Sequence, residues 1–149
     1  MNVADTELVG GILDSHMYVF TKELADADVV LLNTCAIRDN AEQRIYGRLG
    51  LINKFKREKP EMVIGILGCM AERLRSRFMD HEKIVDIVVG PDEYRKLPSL
   101  IDKAFQGEKG IAVRLSRVES YDDIVPLRTD TMSAWISVMR GWERPRYFR

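Results

Sequence analysis

Residues 29–35 read VVLLNTC and residues 63–69 read VIGILGC, so that two short, mainly apolar runs each end in a cysteine. Such runs are typical of strands that are buried on both faces of a parallel sheet. In a parallel sheet the carboxyl ends of the strands meet at one edge, where ligands bind. The two stretches therefore predict that Cys35 and Cys69, the only cysteines of the chain, emerge at the same edge.

The two cysteines have a packing interpretation and a functional one. A cysteine that only packs behaves as a small hydrophobic residue, and position alone favours this interpretation. However, each cysteine also precedes a helix-like segment, and a helix N-terminus favours a reactive or metal-binding thiolate. A structural disulfide is the less expected outcome, because no secretory signal is visible and the cytosol keeps thiols reduced.

The rest of the chain alternates between strand and helix patterns. Asp5 is the expected cap of a first helix, and Pro98 is expected in the first position of the last one. The predicted strands cover residues 28–33, 62–67, 84–89 and 111–115, and the predicted helices cover the opening residues, 41–60, 70–78, 92–96 and 98–105. This alternation predicts an α/β fold of the flavodoxin or Rossmann kind, with an open, mostly parallel sheet and helices on both faces.

Composition limits the function classes. A chain of 149 residues, 46% of them hydrophobic, is long enough for a single soluble domain. Lys plus Arg equals Asp plus Glu at 23 each, so no global field attracts nucleic acid or lipid, and an RNA role would need a local patch. The apolar runs are too short to cross a bilayer, and we expect no membrane partner and a cytoplasmic location.

Other polar residues carry weaker signals. The basic residues at 54, 56, 57 and 59 are most simply the solvated end of a helix. The arginines at 73, 75 and 77 could approach RNA phosphates, but they are more simply the exposed side of a short helix. His16 and His81 have no partner spacing that suggests zinc. No Walker loop or complete GxGxxG motif is present, so nucleotide binding has no direct support.

Longer motifs surround the cysteines. Residues 33–38 read NTCAIR, residues 40–43 read NAEQ and residues 65–73 read GILGCMAER. These stretches resemble the N-terminal domain of the tRNA methylthiotransferases, which are radical S-adenosylmethionine enzymes with two iron-sulfur clusters. They are most similar to the branch that modifies isopentenyladenosine next to the anticodon. Residues 85–92, 120–128 and 134–141 are similar to the same family.

The resemblance implies a role for each strand-end residue. Cys35 and Cys69 would be ligands of the auxiliary four-iron, four-sulfur (4Fe-4S) cluster, whose open iron would hold or supply sulfur. Asn33 and Thr34 would lie beside this cluster, where polar groups hydrogen-bond the sulfurs and tune the potential. The implied partner is tRNA, bound by the full-length enzyme.

The sequence departs from the family pattern at both ends. The family motif Gly-Cys-Gln-Met-Asn is represented only by Met1 and Asn2, so the third cluster ligand is expected upstream of Met1. Residues 141–149 read GWERPRYFR where the family has a Cys-x3-Cys-x2-Cys loop. S-adenosylmethionine and the second 4Fe-4S cluster are therefore expected only in an absent radical domain. This predicts that the chain alone is inactive and binds a weak, oxygen-labile cluster.

The same comparison predicts the organisation of the chain. Residues 1–115 form the α/β domain, residues 116–133 a linker, and residues 134–149 the start of the radical domain with a divergent tail. The first, central strand is expected to be missing, which would leave its neighbours with unpaired edges and favour self-association. A non-catalytic α/β binding module and a dithiol redox protein that uses Cys35 and Cys69 remain alternative functions.

Overall fold

A computed structural model of the chain describes residues 3–34, 41–73, 84–114 and 120–128. The α-helices are α1 (Val3–Asp14), α2 (Ala41–Glu58), α3 (Cys69–Arg73) and α4 (Leu97–Phe105). The strands are β1 (Val29–Thr34), β2 (Val63–Gly68), β3 (Ile87–Val89) and β4 (Gly110–Ala112). The described residues also form two 3-10 helices, η1 (Leu24–Asp26) and η2 (Pro91–Lys96). The predicted alternation of strands and helices is confirmed.

The four strands form one open parallel sheet in the order β1-β2-β3-β4. β1 and β2 pair along their whole length, from Val29 opposite Val63 to Thr34 opposite Gly68. β1 lies at the edge of the described sheet and pairs on one side only, so the expectation that a missing strand leaves an unpaired edge stays a prediction. The predicted α/β fold class with a parallel sheet is confirmed.

Both faces of the sheet are covered, as the apolar runs predict. In β2, Val63 and Leu67 face one side, and Ile64 and Ile66 face the other. The first side packs against five buried residues of α1 and α4: Leu8, Val9, Ile12, Leu97 and Ile101. The second side packs against five buried residues of α2 and α3: Ile45, Leu49, Ile52, Met70 and Ala71. Because β2 is buried from both sides, its sequence shows no polar alternation.

The start of β3 differs from the predicted one because of a carboxylate. Asp86 precedes the strand, and its backbone N–H donates to Ile64 O at 2.8 Å. Its side chain accepts a hydrogen bond from Ile64 N at 2.8 Å and pairs with Lys56. The regular ladder therefore begins at Ile87, directly after Asp86, whereas the predicted strand begins at residue 84.

The helix starts also shift. α1 begins at Val3, so Asp5 lies in its first turn rather than at the cap. α4 begins at Leu97, which moves Pro98 to the second position, where its missing N–H is equally harmless. The predicted continuation of the third helix to residue 78 lies outside the residues that the structure describes.

Residues 120–128, here called the strap, are the described part of the predicted linker. Tyr121 is only 5% exposed. Its hydroxyl donates to Pro91 O at 3.0 Å and accepts from Tyr94 N at 3.0 Å. Leu127 N donates to Glu7 O of α1 at 2.8 Å. The strap is therefore attached to both η2 and α1.

An arginine of η2 holds the other side of the strap. The Arg95 guanidinium lies 5.1 Å from the centre of the Tyr121 ring, donates to Ser120 O at 2.7 Å and forms an ion pair with Asp123. On α1, a Cβ atom at Gly11 would lie 2.1 Å from Val125 O. Only glycine at this position lets the strap approach the helix so closely.

Candidate functional site

The strand-end site consists of Asn33, Thr34, Gly68 and Cys69, at the carboxyl ends of β1 and β2. Thr34 is the register partner of Gly68. Cys69 follows Gly68 directly, is half-buried and is the first residue of α3. The structure thus places Cys69 at the sheet edge, at the strand-to-helix turn that the sequence predicts.

Cys35 lies outside the described residues. In the chain it follows Thr34, just as Cys69 follows Gly68. The residues that precede the two cysteines are therefore direct neighbours on adjacent strands, which lie about 4.8 Å apart in a parallel sheet. Convergence of the two sulfur atoms stays a prediction, and this register is compatible with it.

Gly68 makes the turn from β2 into α3. Its φ is +91°, a left-handed conformation that favours glycine. A Cβ atom here would also lie 2.3 Å from Thr34 O and 2.9 Å from Asn33 Oδ1. Both the backbone angle and the close approach of β1 therefore require glycine at this turn.

Hydrogen bonds connect the site to its surroundings. Thr34 is 7% exposed, and its Oγ1 donates to Leu67 O at 2.6 Å. A threonine hydroxyl has one proton, so this bond commits the donor of Thr34 to the neighbouring strand. Asn33 Nδ2 donates to Thr6 Oγ1 of α1 at 3.1 Å. The sequence analysis missed Thr6, since nothing in its local sequence marks a contact with a strand that begins many residues later.

Comparison with known proteins identifies the family. The model described as "Uncharacterized protein family UPF0004" matches residues 1–90, which is more than half of the chain. The chain belongs to this family. The match covers the described part of the strand-end site and the whole of β1 and β2.

Proteins named tRNA-2-methylthio-N(6)-dimethylallyladenosine synthase are similar to this UPF0004 member over more of its length than the family model. The protein of Chloroherpeton thalassium is 49% identical over 141 residues, and that of Amoebophilus asiaticus is 50% identical over 143. Both alignments cover 95% of this chain, but only 31% and 29% of the two relatives. The chain thus spans about three tenths of their length, and the predicted resemblance to the methylthiotransferases is confirmed.

The described part of the UPF0004 domain does not by itself complete a metal site. Within residues 3–34, 41–73, 84–114 and 120–128, no group of three or more His, Cys, Asp and Glu side chains lies close enough to hold a metal ion. In the same residues, no helix is long and apolar enough to cross a membrane. A cluster at the strand-end site would therefore need ligands besides Cys69.

Two groups with displaced pKa values lie outside the strand-end site. Burial raises the pKa of the Tyr18 hydroxyl, and Asp102, which accepts its hydrogen bond at 3.4 Å, raises it further. A hydrogen bond from Arg95 lowers the pKa of Asp123. The second shift belongs to the attachment of the strap.

A cavity of about 560 Å³ lies between α1 and the strap. It is lined by Gly11, Ile12, Asp14, Ser15, His16, Arg95, Asp123, Ile124, Val125, Pro126 and Leu127. None of these residues belongs to the strand-end site, and the Arg95 charge at its wall is already paired with Asp123. The chemistry that the sequence predicts therefore concentrates at the sheet edge rather than in this cavity.

Proposed function

We propose that this chain is the N-terminal, iron-sulfur-binding domain of a tRNA methylthiotransferase. In this proposal the whole enzyme adds a methylthio group to C2 of N6-isopentenyladenosine next to the anticodon. The names of the relatives, which match 95% of the chain, support this substrate, since dimethylallyl and isopentenyl denote the same group here. A tRNA substrate also favours the cytoplasm as its location.

Cys35 and Cys69 are the proposed protein ligands of a 4Fe-4S cluster. The single observation that carries this assignment is the pairing of Thr34 with Gly68, which makes the residues before the two cysteines direct neighbours. Iron-sulfur clusters are held by soft thiolates, and a cluster with an open iron would supply a place to hold sulfur. The donor set of this edge therefore fits such a cluster in kind, although not in number.

The polar residues of the site have different proposed roles. Asn33 presents an amide beside the strand end, and an amide N–H is a suitable donor to a cluster sulfur. Thr34 instead fixes the two strand ends to each other, because its hydroxyl proton goes to Leu67 O. Gly68 keeps the path between the strands clear of side-chain atoms.

The chain by itself is proposed to be inactive. It contains only two cysteines, so each missing thiolate leaves an iron that water or a small thiol must cap. We expect loose, oxygen-labile cluster binding as a result. S-adenosylmethionine and the second 4Fe-4S cluster belong, in this proposal, to a radical domain outside this chain.

Anaerobic incubation with iron and sulfide tests the assignment. The wild-type chain should take up both elements and lose them in air, whereas Cys69→Ala should take up much less and His16→Ala, an exposed control, should match the wild type. A chain that stays free of iron would instead support a binding module. A mass loss of two hydrogens on oxidation, with no iron uptake, would support a dithiol redox protein in which the two thiols join as a disulfide.

A further inference from the structure

The outward surface of α2 is unusually basic for a chain without net charge. At about 100° per residue, Arg44, Gly47, Arg48, Leu51 and Lys54 fall within an arc of about 120°, and Gly50 and Arg57 lie about 40° and about 60° beyond its edge. All these residues are exposed, and Leu51 is 53% exposed. We call this set the α2 outer face. Glu58 is the only exposed acidic residue on the described side chains of this helix, and at the same spacing it also falls within the arc.

The structure separates the cations of α2 into two groups. Lys56 pairs with Asp86, and Lys59, just after the helix, pairs with Asp28 and donates to Ala27 O at 3.3 Å. These lysines are occupied within the fold. The four cations of the outer face have no hydrogen-bond or ion-pair partner in the part of the chain that the structure describes: Arg44, Arg48, Lys54 and Arg57. The basic helix end is thus only in part the solvated surface that the sequence predicts.

Two glycines on the same surface have no internal explanation. Gly47 and Gly50 lie inside α2, and a Cβ atom at either position would meet no atom within 4 Å. Neither has a positive φ. Glycine destabilises a helix interior relative to alanine, so the fold gains nothing from them. What they do provide is access to the helix backbone between two rows of cations.

The face also begins beside the strand-end site. α2 comes between the parallel strands β1 and β2, so its first turn, which contains Arg44, lies toward the carboxyl end of β1. Arg57 lies about 20 Å further along the helix, at a rise of 1.5 Å per residue. The cations therefore form a track that starts at the proposed cluster edge.

We propose that the α2 outer face binds the phosphate backbone of RNA and guides the substrate to the strand-end site; this inference rests on the proposed function. Arginine forks match phosphate geometry, and three of the four cations are arginines. Glycines let a sugar-phosphate backbone approach the helix closely. A chain without net charge needs a local basic patch to bind RNA, and the α2 outer face provides one.

Fluorescence anisotropy with a labelled RNA hairpin that carries an anticodon-type loop tests the proposal. The quadruple variant Arg44→Gln, Arg48→Gln, Lys54→Gln and Arg57→Gln should bind about tenfold more weakly at low salt. The slope of log affinity against log salt should become shallower by about 3, because each phosphate contact to a single strand contributes about 0.7.

A matched control keeps the net charge equal. In this control, glutamine replaces four exposed cations outside α2: Lys22, Lys103, Lys109 and Arg114. The control should retain most of the RNA affinity. Thermal melting of both variants shows that they fold. Equal weakening in the two variants, or no binding of the hairpin by the wild type at low salt, would overturn the proposal.

The glycines give a second test in the opposite direction. The double variant Gly47→Ala and Gly50→Ala should melt at a higher temperature but bind the hairpin several-fold more weakly. Unchanged RNA affinity in this variant would contradict the close approach of the RNA backbone to the helix. If the wild type binds polyglutamate as tightly as the hairpin, the face is assigned to an acidic protein instead.

Iron uptake separates this inference from the proposed function. The quadruple variant should take up as much iron and sulfide as the wild type. Loss of RNA binding with normal iron uptake supports the RNA surface. If the chain takes up no iron but still binds RNA through the four cations, the RNA surface is supported and the cluster assignment is contradicted.

Discussion

Thr34 and Gly68 face each other at the last position of the β1–β2 ladder, and Thr34 O lies 2.3 Å from where a side chain at position 68 would begin. Thr34 is also bonded through its hydroxyl to Leu67 O. The two strand ends are therefore fixed directly before Cys35 and Cys69. Any change that separates them should affect the proposed cluster binding as well as stability.

Gly68→Ala should reduce the free energy of unfolding by about 2–3 kcal/mol, because it combines a strained backbone angle with a clash against Thr34 O. Gly107 provides the matched control. Its φ is +85°, but a Cβ atom there would meet nothing within 4 Å, so Gly107→Ala should lose only about 1 kcal/mol. Urea unfolding measures both values. Equal losses would show that β1 does not approach Gly68 closely.

Tyr121→Phe should destabilise the chain by about 2 kcal/mol, because the buried Tyr94 N–H and Pro91 O lose their contact with the hydroxyl. Tyr18→Phe is the control, since its hydroxyl makes only a long, exposed bond of 3.4 Å and should matter by about 0.5 kcal/mol or less. Chemical denaturation compares the two. A neutral Tyr121→Phe would mean that the strap is not attached in solution.

The pH dependence of the strap follows from Asp123. Its pKa is lowered from the ordinary value of 3.8, so its pair with Arg95 is fully present above that value and is lost as the pH falls through the lowered pKa. The NMR signals of Tyr121 and Leu127 should therefore stay unchanged from pH 7 to about 4 and shift only below it. In Asp123→Asn they should start displaced and vary less. A shift between pH 7 and 5 would contradict this attachment.

Met17 is the one residue other than glycine with a positive φ in the four described segments, at +66°, and it is 91% exposed. Met17→Gly should therefore stabilise the chain by about 0.5–1 kcal/mol, because it removes left-handed strain without loss of packing. His16→Gly, at the neighbouring position without this conformation, should destabilise it by up to about 1 kcal/mol. Thermal melting distinguishes the two, and a lower melting temperature for Met17→Gly would refute the strained turn.

The fold was predictable where burial alone determines the pattern. β2 is covered on both faces, so its apolar run indicates a parallel strand without reference to any distant contact. The strap was less predictable, because the contacts that attach residues 120–128 join residues far apart in the sequence: Tyr121 to η2, Leu127 to α1 and Asp123 to Arg95. The start of β3 depends on Asp86 and Lys56, which lie 30 residues apart.

The site was predictable to a similar extent. A cysteine after a strand and before a helix is a local signal, and it placed Cys69 at the sheet edge. The hydrogen bonds around Cys69 are not local in the sequence. Those from Thr34 to Leu67 and from Asn33 to Thr6 exist only once the strands and α1 are packed. Sequence alone therefore located the edge but not the contacts that shape it.

The most direct test of the central claim is the iron content of four anaerobically reconstituted chains: the wild type, Cys35→Ala, Cys69→Ala and the double variant. If the two thiolates hold one cluster, each single variant should lose nearly as much iron as the double variant, because a shared site fails when either ligand is removed. Losses that simply add, or a single variant with the iron content of the wild type, would show that the two cysteines do not share a cluster.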